Sequence, residues 1–346
     1  MSEKNLKNDK VDVILPWVDG NDPAWQKERD EWLEKLGRKV DKKVNDNSRY
    51  QNWDNLHYWF RAVEKNMPWV DKIFFVTWGH LPKFLNVNHP KLKIINHKDY
   101  IPAKYLPTFN SNVIELNYHR IKELSDNFIL FNDDVFPLKP IKETYYFRNN
   151  QVCDEAIEQP IFSKYTTRPS GKWINILKLN DMQLINKHFN KREVQAKNYD
   201  KWFSPVYGEL LERNQNLSYW DNFMCFRTLH VESALKKSTL KHIWDLEPDE
   251  MDRASQNKFR STDEYNQYLI HYWQICEGDF IPRKASGKFY ALDINNVEEV
   301  AADIRQNKWK SICINEVCTP EEFIKIKSII NPIFEEMFPE KSSFEK

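Results

Sequence analysis

Apolar runs and helix-like spacings take turns along the chain from residue 11 to about residue 140. Val11-Asp12-Val13-Ile14-Leu15 reads as a strand that ends in the polar turn Asp19-Gly20-Asn21-Asp22-Pro23. Residues 24–36 carry helical spacing through Trp25, Trp32, Leu33 and Leu36, and the lysine-rich stretch 38–47 reads as a solvated loop. A helix is predicted from Asp54 to Lys65, with Leu56, Trp59, Phe60 and Val63 on one face. Lys72–Thr77 and Leu92–Asn96 are the next strands. Ser111 is placed as the cap of a helix reaching about Leu124. Phe128-Ile129-Leu130-Phe131 is a buried strand, and Asn132-Asp133-Asp134 follows at its end.

Strands alternating with helices predict βαβ units, hence an α/β fold with a mostly parallel, Rossmann-like or GT-A-like sheet. The remainder reads as an attached helical region. It has weak periodicity over 145–205, a short helix at Leu177–Phe189, and helical stretches at 231–244 and 263–276. Thr319-Pro320-Glu321-Glu322 opens a last helix. The expected organisation is an α/β core over 11–150, a helical or mixed region over 151–318, and a terminal helix over 319–346.

Charge and cysteine usage narrow the class. The 346 residues hold 51 basic and 51 acidic side chains, so no global field recruits nucleic acid. Hydrophobic residues at 41% and charged residues at 29% describe a globular chain rather than a disordered one. The N-terminus lacks a secretory pattern and no apolar run approaches a membrane span, so membrane contact is expected to be peripheral at most. Five Cys without a CxxC argue against a disulfide framework and point to a reducing cytoplasm. With 7 Gly there is no GxGxxG and no P-loop.

Ligand crevices in parallel sheets lie at the carboxyl ends of the strands, where the two acidic turns both fall. Adjacent Asp133 and Asp134 repel each other. A divalent ion would relieve that repulsion, and hard carboxylate oxygens suit Mg²⁺ or Mn²⁺ against a nucleotide diphosphate. Asp19 reads equally as a turn residue or as a metal or ribose ligand. His230 suits proton transfer near neutral pH, and Arg260 suits a bidentate grip on phosphate. Lys236, Lys237, Lys241, Arg253, Lys258 and Arg260 make a locally basic zone, in part a solvated helix face, whose partner could be a nucleotide phosphate or an anionic acceptor. Trp202, Phe203, Tyr207, Tyr219 and Trp220 are aromatics that core packing or sugar stacking could claim.

LPWVDGNDPAW resembles the opening block of the Stealth proteins. The stretches RYQNWDNLHYWFRAVEKNMPWVDKIFFVTWG and LPTFNSNVIELNYHRIKELSDNFILFNDDVF resemble their long second block. HVESALKKSTL and NKFRSTDEYNQYLIHYW resemble the third, and SICINE the short fourth. The resemblance implies a sugar-1-phosphate transferase of the bacterial capsule and exopolysaccharide branch. Such an enzyme passes a hexosamine 1-phosphate from a UDP-sugar to a hydroxyl of a saccharide acceptor, free or lipid-linked, and releases UMP. It also implies a cytoplasmic location, reaching the inner face of the membrane, and a divalent metal at Asp133 and Asp134. Catalytic groups are then expected at Asp133, Asp134, His230 and Arg260, with the base either His230 or an acid. Substrate contacts are expected at Trp17, Asp19, Asn110 and Asn132. Two other classes remain open: a metal-dependent glycosyltransferase that releases UDP, and a non-catalytic carbohydrate-binding protein.

Overall fold

The computed structural model describes residues 10–37, 53–162 and 169–346. The predicted loop at 38–47 lies outside the described residues. Strands β1 (Val11–Trp17), β2 (Ile73–Thr77), β3 (Leu92–Asn96) and β4 (Asn127–Leu130) are parallel to one another in the order β3-β2-β1-β4. Their apolar runs are almost continuous because helices cover both faces of the sheet. Val13, Leu15, Ile73 and Phe75 face one core, with Trp59 and Phe60 of helix Leu56–Asn66. Ile326, Ile330, Ile333 and Phe334 of helix Pro320–Met337 join that same core. Ile14, Phe74, Val76, Phe128 and Leu130 face a second core, with Leu240, Ile243, Tyr272 and Trp273.

Four short strands, β5 (Val135–Pro137), β6 (Phe147–Arg148), β7 (Gln151–Asp154) and β8 (Ser233–Lys236), come next. They are followed by β9 (Phe280–Pro282), β10 (Gly287–Leu292) and β11 (Ser311–Glu316). β8 closes the central sheet antiparallel to β4, with Ser233 opposite Leu130. The chain leaving β4 and the chain entering β8 therefore meet at one edge. That register brings His230 to the acidic turn. β5 pairs antiparallel with β11, setting Val135 opposite Cys313, and β10 runs parallel to β11. β6, β7 and β9 form a third small sheet.

Most predicted elements are present, with three differences. The expected helix at 231–244 begins as β8 and becomes helical only over Lys237–Leu246. Pairing with β4 overrides the local preference of Ala234 and Leu235. The expected helix from Ser111 to Leu124 stops at Leu116, and Asn110 rather than Ser111 caps it by accepting from the Asn112 amide. Asn117 turns its side chain back to the Val113 carbonyl at 2.8 Å and competes with the next helical turn. The middle helix is longer than expected, Pro169–His188. At the tail, Thr319 and Glu322 form the expected capping box. No helix among the described residues is long and apolar enough to cross a membrane.

Candidate functional site

The acidic turn is clamped from both sides. The Phe131 amide donates to the Ile14 carbonyl, extending β4 along β1, and β5 starts at Val135. Side chains alternate along a strand, so Ser311, Cys313 and Asn315 of β11 share one face. Cys313 Sγ and Asn315 Nδ2 lie 3.2 Å and 3.3 Å from Asp134 Oδ2 and donate to it. Burial and then the Asp134 charge push the Cys313 thiol well up, so it stays protonated as that donor.

Ligand atoms of Asp134, His230 and Cys313 all lie within 4.8 Å of one another. Asp134 Oδ1 is buried without a hydrogen-bond partner among the described residues. A cation would offset the desolvation of that oxygen. Asp133 projects beside it with an exposed surface. Its carboxyl is pushed up to about 7, by desolvation within the turn and then by the charges of Asp134 and Glu316. The residue is open to solvent, and the two like charges beside it favour its protonated form. These oxygens suit Mg²⁺ or Mn²⁺, and the protonated Cys313 does not serve as a ligand.

His230 precedes β8 with φ of +27°, a left-handed backbone that a non-glycine residue seldom adopts. Its Nδ1 lies 2.7 Å from the Tyr268 hydroxyl, and its ring stands edge-on to Phe289 at 5.5 Å. Tyr268 in turn lies close enough to Glu115 and Asp134 for their charges to act on it.

Arg260 lies in the loop before helix Tyr268–Glu277. Its Nη2 donates to Ser111 Oγ at 2.9 Å, and its guanidinium lies 4.9 Å over the Trp173 ring. Two buried carboxyls feel its charge. Burial pushes Glu115 up to about 8, with Arg260 pulling it down, and burial raises Glu264 to about 7. Glu115 was not singled out from the sequence, where it reads as an ordinary acid of a short helix.

The other predicted residues have partners of their own. Asp19 accepts the Asn21 amide on its own Oδ1 and donates its amide to His80 Nε2 at 2.7 Å. Trp17 packs against His80 and Phe75 at 5.2 Å and 5.6 Å. Asp22 caps the helix Pro23–Lys35 and lies 3.6 Å from His80 Nδ1. Trp17, Asp19 and His80 thus form a neighbouring cluster at the ends of β1 and β2. Asn132 sits half-buried in the acidic turn, where its carbonyl accepts the Val135 amide. Asn110, expected at the substrate, is fully buried and donates to Glu264 Oε2 at 2.5 Å, so it frames the Arg260 loop instead of lining the cleft.

The charges of the basic zone are taken up locally. Lys236 meets Asp279, Lys241 meets Asp245, and Arg253 meets Glu250 and Asp263. Lys237 and Lys258 donate to backbone carbonyls. Trp202 and Tyr207 are buried core residues, whereas Tyr219 and Trp220 are exposed.

Residues 9–37 match conserved region 1 of the Stealth proteins, and residues 49–154 match conserved region 2. The chain is 39% identical to a capsular polysaccharide phosphotransferase WcwK of Streptococcus pneumoniae, over 99% of this chain and 100% of that one. It is 31% identical to the receptor polysaccharide phosphotransferase WefC of Streptococcus oralis, over 97% of this chain and 99% of that one. The exopolysaccharide phosphotransferase cps2G of Lactiplantibacillus plantarum is 32% identical over 97% of this chain and 96% of its own. With both conserved regions in order and end-to-end similarity to these proteins, the chain belongs to the Stealth family.

Proposed function

We propose that this protein is a polysaccharide phosphotransferase of the cytoplasm. It would move a hexosamine 1-phosphate from a UDP-sugar to a saccharide hydroxyl, free or lipid-linked, in capsule or exopolysaccharide synthesis. The observation that carries this reading is the meeting of Asp134 and His230 beside Asp133, with one buried Asp134 oxygen left unpartnered. The names of the relatives give the reaction class.

The acceptor oxygen attacks the phosphorus attached to the sugar. A new P–O bond forms and the anhydride bond breaks. UMP leaves with the bridging oxygen, and the bond to the anomeric carbon is untouched. Mg²⁺ or Mn²⁺, held by Asp133 and Asp134, would neutralise the diphosphate and the charge gathering on UMP. Arg260 grips the transferred phosphoryl group, supported by Ser111 and Trp173. His230, held by Tyr268, hydrogen-bonds a phosphoryl oxygen. Glu115 would take the acceptor proton in its ionised form, which grows as pH approaches about 8. Trp17, Asp19 and His80 border the nucleotide side.

The test is the nucleotide product. Purified protein with UDP-N-acetylglucosamine, a divalent ion and a saccharide acceptor should release UMP, and ³¹P NMR should show a phosphodiester in each new linkage. UDP as the primary product, with a phosphorus-free linkage, would make the chain a glycosyltransferase.

A further inference from the structure

The candidate centre is assembled from two sheets. His230 hangs from the chain entering β8, at the edge of the central sheet, whereas the side chains that donate to Asp134 come from β11 in the sheet β10-β11-β5. Among the described residues no backbone ladder joins β8 to β11, since β8 pairs with β4, and β11 pairs with β10 and β5. Side chains must therefore set the distance between them. His230 is also left-handed, a backbone conformation that persists only where the neighbouring residues are held.

The two residues after His230 supply the fastening. Glu232 is 9% exposed, and its Oε1 accepts from Ser311 Oγ at 2.9 Å and from the Tyr146 hydroxyl at 2.7 Å. Ser311 opens β11 and lies on the face that carries Cys313 and Asn315. The row of side chains that holds Asp134 is thus tied, at its first member, to a residue two positions from His230. Val231 seats beside this tie on β10. A Cβ at position 287 would lie 3.1 Å from both Val231 methyls and 3.3 Å from the Ser311 carbonyl oxygen, so Gly287 keeps the approach uncrowded.

Packing alone gives no reason for a carboxyl here. Burial pushes the Glu232 carboxyl up, and its Oε2 is buried with no partner among the described residues. An apolar side chain of similar size would fill the space without that desolvation. It would not reach Ser311 with a directed hydrogen bond.

We propose that Glu232 is a positioning residue, which fastens the chain entering β8 to Ser311 of β11 and so holds the His230 ring at Asp134. Glu232 itself touches no substrate. The assignment rests on the phosphotransferase reading, in which His230 and Asp134 serve one phosphoryl group.

The tie is tested by removing one hydrogen bond at a time and reading His230 directly. Ser311→Ala and Tyr146→Phe each delete one donor to the same Glu232 oxygen, and both should melt a little below wild type. Only Ser311→Ala breaks the link to β11. In proton–carbon NMR spectra of the full chain, the His230 ring signals sense the Phe289 ring 5.5 Å away. They should move in Ser311→Ala and in Glu232→Ala, with kcat about tenfold lower, and stay near wild type in Tyr146→Phe. Glu232→Gln keeps an oxygen at the same reach and should hold both signals and rate near wild type. Unmoved His230 signals in Ser311→Ala, or equal movement in Tyr146→Phe, would overturn the proposal and leave Glu232 a core hydrogen-bond acceptor. If Glu232→Ala does not fold, the comparison of Ser311→Ala with Tyr146→Phe decides alone. If the His230 signals move as expected while UDP-N-acetylglucosamine yields no UMP, the reaction is wrong and the positioning role stands.

Discussion

The Tyr268 hydroxyl lies 2.7 Å from His230 Nδ1 and ends a chain of hydrogen bonds. Lys178 Nζ donates to Thr228 Oγ1 at 3.0 Å, and Thr228 hydrogen-bonds Tyr268. Lysine has no lone pair to offer, so Thr228 is polarised to donate onward. The Tyr268 proton is then offered to Nδ1, which in a neutral ring places the hydrogen on Nε2. A ring in that state serves the reaction as a donor to phosphate oxygen.

Tyr268→Phe should release this constraint. We expect kcat to fall by about tenfold with KM little changed, because the ring still sits beside Asp134 but in mixed tautomers. Nitrogen-15 spectra of the His230 ring should show the Nε2–H form in wild type and a mixture in the variant. An Nδ1–H ring in wild type would reverse the direction of the chain and return His230 to the role of base.

The unpartnered Asp134 oxygen makes metal binding measurable apart from activity. A ligand that binds only the folded state raises its melting temperature. Mg²⁺ or Mn²⁺ should therefore stabilise the wild type, and Asp134→Asn should lose that gain while melting near the wild-type value without metal. EDTA should abolish turnover, and either ion should restore it. Full activity in chelator would remove the metal from the reaction.

Glu115 links pH to stability and to rate. Its folded pKa of about 8 stands above the ordinary value of 4.5, with desolvation the main cause. The unfolded chain therefore releases its proton first, and stability falls as pH rises from about 4.5 to about 8. Burial of Glu264, raised to about 7, acts in the same direction. Glu115→Gln removes the first contribution. Its melting temperature should gain on wild type steadily across that window, while turnover collapses. The wild-type kcat/KM should climb with pH toward about 8. A variant with normal turnover and no pH-dependent gain would remove Glu115 from both roles.

What could be read in advance follows the range of the interactions involved. β1, β2 and β3 are legible because a parallel strand covered on both faces is a plain apolar run. β8 is not, because its four residues become a strand only by pairing with β4, about a hundred positions earlier. Asp134 is visible at a strand end. The donors that hold it come from β11, and their direction depends on the pairing of Cys313 with Val135. The basic zone misleads for a similar reason, since the partner of Lys236 is Asp279, far along the chain. Asn110 reads as a polar loop residue until its contact with Glu264 shows it buried.

Arg260→Lys tests whether the guanidinium works by shape or only by charge. Arg260 is half-buried, with one nitrogen committed to Ser111 and its plane stacked over Trp173. That leaves its other N–H groups in a fixed fork, the geometry that grips phosphate through two oxygens. Lysine keeps the positive charge near Glu115 and Glu264, so the local electrostatics and the fold should survive. It cannot stack flat on Trp173 while reaching Ser111, and it presents a single flexible donor centre. If Arg260 holds the phosphoryl group as charge shifts toward UMP, kcat should fall by about 10²-fold. The melting temperature should stay close to wild type, and guanidine added to the assay should recover part of the rate. Near wild-type turnover in Arg260→Lys would reduce Arg260 to a counter-ion of the two buried glutamates, and the phosphoryl group would have to be held elsewhere in the cleft.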